Sequence, residues 1–367
     1  MSSHEVRRYD AFGNLLETIV EINKLTYVRT ENVVGALELI IPAGLHTYED
    51  ISTNQILEVW RYNKGRAELQ GETAYFVRDW EIFSHGEEHL IRFIAYDATW
   101  LLSTRIVAYS AGSSQAIMTN QPGDIILHTI IDNFGSDAIT ARRLSSLAWQ
   151  SPYDNVRDQV TKDFPWRNVL AVCQELAGAS YENNGEYLVF DVVRTGVAQF
   201  LARVYNDCRG EDHGRYSKDV RLVGEVYGNL KNPVFGTYHT GEKNYIYAGG
   251  QGEEDSRMIV EVSDDARIND GYPFNRCEGF VDARQMSTTE SVASEGNAGL
   301  AEGRPKQILT GQLIDTPSMR YGVHYGFGDI LSVEAFGYTV DCHVRSVKVT
   351  VDSNGQESVE VKLRGLL

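Results

Sequence analysis

The chain has 367 residues, enough for two to three domains of ordinary size. Its 34 Lys plus Arg against 51 Asp plus Glu give a formal charge of −17, which disfavours nucleic acid and anionic membranes as partners unless basic residues segregate to one face. Hydrophobic residues make up 42%, which supports packed cores and excludes wholesale disorder, and no apolar run approaches the roughly 20 residues of a membrane-spanning helix. The polar start, Met1 to Arg8, lacks the apolar segment of a secretory signal. The four cysteines (Cys173, Cys208, Cys277, Cys342) contain no C-x-x-C pair, so they read as idle or buried thiols in a chain made in a reducing cytoplasm.

In chain order, residues 18–22 and 36–41 are predicted strands, the second stopping at Pro42. Strands follow at 56–62, 66–82 and 89–96, with a hairpin signal at 84–87. Many short strands with turns between them suggest a small antiparallel barrel or sandwich. The character then changes. Gln121-Pro122-Gly123-Asp124 opens a helix whose Ile125, Ile126, Thr129, Ile130, Asn133 and Phe134 share one face and which Gly135 ends. A second helix is predicted with Asp163 as cap, Pro165 in the first turn, an apolar stripe from Trp166 to Ala177, and Gly178 as terminator. A strand over 187–193 comes next, and both helices are expected to cover a sheet. Residues 205–275 are strand-rich with long polar connections. Residues 284–304 read as a solvent-facing helix or a linker, and the chain is β again from Ile308.

The end of the chain echoes its beginning. Ile330-Leu331-Ser332-Val333 parallels Ile56-Leu57-Glu58-Val59, and the stretch from Asn354-Gly355 to Val361 parallels that from His85-Gly86 to Arg92. Each copy is strand, long strand pair, Gly turn, closing strand. Two similar modules per chain, taken three times, make six similar units in a ring, a geometry that fits a true six-fold partner.

No stretch assembles a catalytic constellation. His85-Gly86-Glu87-Glu88-His89 matches an inverted zinc-protease pattern, but its neighbours alternate as strands do and Gly86 sits inside it, so a hairpin is the expectation. Gly249-Gly250-Gln251-Gly252 lacks the Lys-Ser/Thr of a phosphate loop and precedes the acidic Glu253-Glu254-Asp255. Cys208 with His213, and Cys342 with His343, do not complete a zinc set. The Trp60-Arg61 and Trp166-Arg167 pairs read either as core residue plus solvated neighbour or as interface anchors. No catalytic, cofactor or metal residues are assigned.

The order of several stretches resembles siphophage minor tail proteins of the tail-tip or baseplate-hub type. They are Val34 to Pro42, Leu57 to Arg61, Tyr96 to Leu102, Trp166 to Leu170, Asn244 to Gly252 with Arg257, Arg276 to Arg284, and Tyr325 to Leu331. The resemblance implies an α+β, mainly antiparallel β fold: two small tube-forming β-barrels with an intervening α/β accessory region. The implied division is residues 1–108 for the first barrel, 109–204 for a helix-containing accessory domain, 205–307 for a β-rich accessory domain with linker, and 308–367 for the second barrel. It also implies a non-enzymatic homotrimer at the virion tail tip, joining the distal tail or tail tube protein to a tip fibre or spike. Such a ring encloses the path of the tape measure protein and of DNA, with no membrane partner and no cofactor. Some relatives carry a lytic or host-binding extension downstream, and a chain ending at Leu367 is expected to lack it. Trp60, Arg61, Trp100 and Asp329 are the interface candidates. The competing readings are a carbohydrate-binding tail protein using Tyr-rich loops around 205–275, and a tail-associated cell-wall hydrolase.

Overall fold

The computed structural model describes residues 4–45, 50–63, 66–108, 117–150, 159–163, 166–184, 187–270, 272–284 and 286–366. The first section supplies β1 (His4–Tyr9), β2 (Leu15–Ile19), β3 (Lys24–Thr30), β4 (Val33–Pro42), β5 (Ile56–Asn63), β6 (Arg66–His85) and β7 (Glu88–Asp97). Alternating polar and apolar residues set their faces. Along β3, Leu25 and Tyr27 are buried while Lys24, Thr26 and Val28 are only partly so. The expected β6–β7 hairpin is present, and Gly86 at its turn has φ +62, a backbone glycine adopts without strain.

The middle section holds α1 (Trp100–Ser103), β8 (Ile117–Asn120), α2 (Pro122–Phe134), β9 (Leu147–Trp149), β10 (Val160–Asp163), α3 (Val169–Asn184), β11 (Leu188–Gly196) and β12 (Gln199–Asn206). Helix α2 matches its prediction, with Pro122 at its start and Gly135 as C-cap. Helix α3 does not. Asp163 lies in β10, paired with Ile117. Pro165 lies outside the described residues. The helix starts instead at Asn168, whose Oδ1 accepts from the Ala171 N–H at 3.3 Å. It runs through Gly178 to Asn184, with Leu176 and Ala177 buried before the glycine and Ser180 buried after it. The stripe of α3 and that of α2 meet β11, β12 and the outer face of β5 and β6 in one core, which includes Ile56, Phe76, Phe134, Val172, Leu176 and Phe190.

The last section contains β13 (Asp212–His213), β14 (Leu222–Gly224), β15 (Leu230–Tyr238), β16 (Tyr245–Gly249), β17 (Ile259–Ser263), α4 (Asp265–Asp270), β18 (Glu278–Asp282), α5 (Thr289–Glu302), β19 (Lys306–Leu313), β20 (Ile330–Ala335), β21 (Tyr338–Val351) and β22 (Glu357–Leu366). The polar stretch 284–304 resolves into a helix. Thr288 caps α5 by accepting from the Ser291 N–H, and buried Val292 and Leu300 anchor it.

The fold is mainly antiparallel β with few helices. Fourteen strands form one sheet in the order β15-β19-β22-β21-β3-β4-β7-β6-β5-β1-β2, with β20 also on β21 and β13 and β14 on β20. The two small tube-forming barrels expected from the sequence are not seen as closed barrels. Among the described residues no ring of strands closes. The two end sections are fused because the far half of β21 pairs with β3, Ser346 opposite Thr30 and Val351 opposite Leu25. A second core lies inside this joint sheet and runs from Val6 and Leu25 to Val349 and Leu363. Three small sheets complete the accessory regions: β10-β8, β11-β12-β9 and β17-β16-β18.

Candidate functional site

The echo read in the sequence has a structural counterpart. In the first section the order β3-β4-β7-β6-β5 is antiparallel throughout, and so is β15-β19-β22-β21-β20 in the last. The registers agree residue by residue. Ile56 and Leu57 face Phe76 and Tyr75, just as Ile330 and Leu331 face His343 and Cys342. Each long strand then bulges at an arginine, Arg78 in β6 and Arg345 in β21. A bulge adds one residue and bends the strand, so a shared bulge fixes a shared path. Beyond it the equivalent pairs are Asp79 with Ser346, Trp80 with Val347, and Ile82 with Val349. The closing turns also match, Gly86 at φ +62 and Gly355 at φ +74.

The two modules differ in what covers them. Beyond Arg345, β21 pairs with β22 on one side and β3 on the other, so Val347 and Val349 are 1% and 0% exposed. Beyond Arg78, β6 pairs only with β7 among the described residues, and Trp80 and Ile82 are 38% and 42% exposed. The same holds for the partner strand. β3 lies between β4 and β21, whereas its counterpart β15 pairs only with β19 and ends the sheet, leaving Val234 and Tyr238 half exposed. Open edges with apolar side chains are templates for another strand. Acidic Asp79 and Glu81 guard one of them, and Pro233, in a bulge with Asn232 (φ +49), interrupts the other.

The seam that is closed inside the chain is held by specific polar contacts. Asn32, at the β3–β4 turn with φ +58, donates Nδ2 to the Leu188 carbonyl (2.9 Å) and accepts from the Phe190 N–H (2.8 Å). The Glu31 N–H donates to the Arg345 carbonyl (3.1 Å), and Tyr187 Oη donates to Glu31 Oε2 (2.6 Å). Tyr187 also packs on His343 with ring centroids 4.3 Å apart. Burial pushes the Glu31 carboxyl up to about 7, with the Tyr187 hydrogen bond and Arg345 opposing. Burial likewise raises Asp97 to about 6 against the pull of Arg29, and it lowers His343 and His4 to about 4. Gly35 permits this packing, since a Cβ there would lie 2.4 Å from Asp97 Oδ2.

The four interface candidates fall in different places. Arg61, on β5, sews the two sections together: it donates to the Tyr321 carbonyl at 3.0 Å and pairs with Glu357 of β22. Trp60 lies under the Arg7 guanidinium at 3.9 Å and donates Nε1 to Glu58 Oε2 at 3.3 Å. Trp100 packs on Phe76 with centroids 5.9 Å apart, and the Arg78 guanidinium stacks on it at 4.4 Å. Trp100, Phe76 and Phe200 line an open cleft of about 470 Å³ beside the unpaired half of β6. Asp329 is buried and organises loops, accepting from the Glu211 N–H at 2.8 Å and from the Gly326 N–H. Sequence reasoning missed Asn32 and Glu31. The available signal was a polar Glu-Asn pair between two strand runs, where Asn tolerates positive φ. It also missed the arginine bulges, which stand in a shared Val-Arg dipeptide, Val77-Arg78 and Val344-Arg345.

His85 ends β6 and His89 lies in β7, with Gly86 and Glu87 between them as the turn. The 249–255 stretch turns the chain from β16 to β17. Cys208 Sγ donates to the Gly210 carbonyl. Among the described residues no group of three or more His, Cys, Asp or Glu is placed to hold a metal ion.

The family described as Siphovirus ReqiPepy6 Gp37-like protein matches residues 5–363. No curated relative matches the chain. Among solved structures, a tail protein from Neisseria meningitidis MC58 is 9% identical with a TM-score of 0.58, over 99% of this chain and 96% of that one. The 43 kDa tail protein of prophage MuSo2 from Shewanella oneidensis is 12% identical with a TM-score of 0.58, over 100% and 98%. Prophage tail protein gp18 from Listeria monocytogenes EGD-e is 12% identical with a TM-score of 0.56, over 98% and 94%. At these identities the likeness is one of fold.

Proposed function

Because the chain belongs to the Siphovirus ReqiPepy6 Gp37-like protein family, we propose that it is a structural hub of a phage tail tip, three copies of which form a ring of six similar modules. The carrying observation is the pair of open edges. The far half of β6 stands to β15 as the far half of β21 stands to β3, yet only the second pair meets within one chain. When β15 of one copy pairs with β6 of the next, the inter-chain seam repeats the internal one. This contact is head-to-tail, and it closes on itself when each seam turns the ring by about one-sixth of a circle. The interface chemistry fits, with exposed Trp80, Ile82 and Val234 taking the place that Val347, Val349 and Val28 hold in the internal seam.

In this reading the ring sits between the distal tail or tail tube protein and a tip fibre or spike, with the tape measure protein and then DNA passing through its opening. The residues then act by shape and pairing rather than by catalysis. The charge of −17 suits a conduit that does not retain DNA. The protein is made in the host cytoplasm and resides in the virion.

Light scattering on purified protein over a concentration series tests the assembly. The expected mass is three times the 41.1 kDa of one chain, with three-fold rings in electron micrographs. A monomer at every concentration, or a closed two-fold dimer, overturns the reading.

A further inference from the structure

We propose that the cleft formed by Phe76, Trp100 and Phe200 is a docking pocket for Tyr238 of a second copy of this chain. The inference rests on the hub reading and adds to it a specific lock beside the paired strands.

The internal repeat shows what a filled seam looks like. In the closed seam, the residues just past the end of β3 do not stop at the ladder. Glu31 binds the Arg345 carbonyl and Asn32 clamps two backbone groups of β11, on the outer face of the sheet. The equivalent surface at the open seam carries Phe76 in place of His343 and Arg78 in place of Arg345. There, nothing from this chain fills the place of the Glu31–Asn32 turn among the described residues. What lies there is an open, aromatic-lined cleft of about 470 Å³, with Arg78 stacked on Trp100 at its rim.

The ladders also say what a second copy brings to that cleft. Tyr96 pairs with Phe76 and with Ala36, which pairs with Val28. In the second module Arg364 pairs with His343 and with Thr310, which pairs with Val234. Val234 therefore takes the place of Val28, and four residues further along Tyr238 takes the place of Asn32. Val234, Gly236 and Tyr238 alternate onto one face of β15, the face that Val28 and Thr30 hold in β3 and that Phe76 shares across the ladder, so the tyrosine is on the cleft side of the sheet. Its ring lies against Gly236, and it is 51% exposed. An exposed tyrosine and an unfilled aromatic cleft thus arrive at the same point of the proposed seam. Aromatic anchors seated in pockets are the usual high-energy contacts of interfaces, and tilted ring pairs with centroids about 5–6 Å apart add to area burial.

The experiment uses the full chain with p-benzoylphenylalanine at position 238, mixed one-to-one with isotopically heavy chain and irradiated. Heavy–light crosslinked peptides containing Trp100, Leu101, Thr104 or Phe200 are expected. Tyr238→Ala is expected to weaken trimer formation about tenfold or more, and Tyr238→Phe to leave it near wild type. Trimers whose crosslinks fall elsewhere, or whose stability ignores Tyr238→Ala, overturn the pocket while leaving the hub reading intact. A chain that stays monomeric at every concentration overturns the hub reading and the pocket with it.

Discussion

The β3–β21 seam and the two open edges of β15 and β6 are equivalent places in the two modules, one joined within the chain and the other not. Strand order, antiparallel sense and the arginine bulges agree between the modules. What differs is exposure: Val349 is fully covered and Ile82, its counterpart, is 42% exposed. The lesson is that a strand's burial is a property of its neighbours rather than of its residues. In the proposed ring, an apolar residue at an inward position of β6 finds its complement in β15 of the next copy.

The largest expected effect separates the two seams directly. Val349→Asp puts a charge into the closed seam and should cost more than about 4 kcal/mol, leaving insoluble or unfolded protein. Ile82→Asp makes the same chemical change at the open seam. It should leave the monomer's thermal unfolding within a few degrees of wild type while abolishing the trimer in light scattering. If both variants unfold, β6 is already covered within one chain and the comparison fails.

Arg61→Ala tests the other tie between the sections. The arginine joins β5 to Glu357 and to the Tyr321 carbonyl and is mostly buried. Its loss leaves Glu357 without its main cation and should cost about 3 kcal/mol in urea unfolding. A loss below about 1 kcal/mol would make the pair an ordinary surface contact. Asn32→Ala should cost about 2–3 kcal/mol, because it orphans the Leu188 carbonyl and the Phe190 N–H and places Ala at φ +58. Tyr238→Ala, at the matching position of the open seam, should change monomer stability by less than about 0.5 kcal/mol.

Much of this was legible locally and little of it globally. The strands, the β6–β7 hairpin and α2 follow from alternation, Gly turns and helical spacing. The repeat was legible too, because Ile56-Leu57 and Ile330-Leu331 keep both sequence and register. Helix α3 was misplaced at both ends: β10 pairs Asp163 with Ile117 of β8 and so takes it away from capping, and the helix runs on through Gly178 with Ser180 buried beyond it. The fusion of the two sections was not legible at all. Ser346 meets Thr30 across more than 300 residues, and a local pattern encodes which face of a strand is apolar but not which strand lies beside it. Among the candidate residues, Trp and Arg content pointed to contact-rich positions, yet Arg61 proved to join two parts of one chain. Asp329 was an interface candidate, and its use by two loop amides depends on how the 208–211 and 326–329 segments meet.

A pH dependence gives a further reading of the closed seam. Glu31 is raised from 4.5 to about 7 in the folded chain by burial. A carboxyl with a raised folded pKa supports the fold fully below 4.5, and that support is lost as pH rises through about 7. Asp97, raised to about 6, acts in the same sense at lower pH, while His4 and His343, lowered to about 4, act oppositely as pH falls from 6.5. The whole-protein curve therefore mixes opposing slopes, and the difference between wild type and Glu31→Gln isolates one of them. Gln keeps an acceptor for Tyr187 and has no proton to exchange. Relative to the variant, wild type should lose about 2 kcal/mol between pH 5 and pH 7.5 in urea unfolding. A difference that does not move with pH would mean that Glu31 is ionised throughout and that the seam tolerates its charge. Thr237 holds the matching place in β15 and cannot titrate, so the proposed seam between copies has no counterpart to this slope.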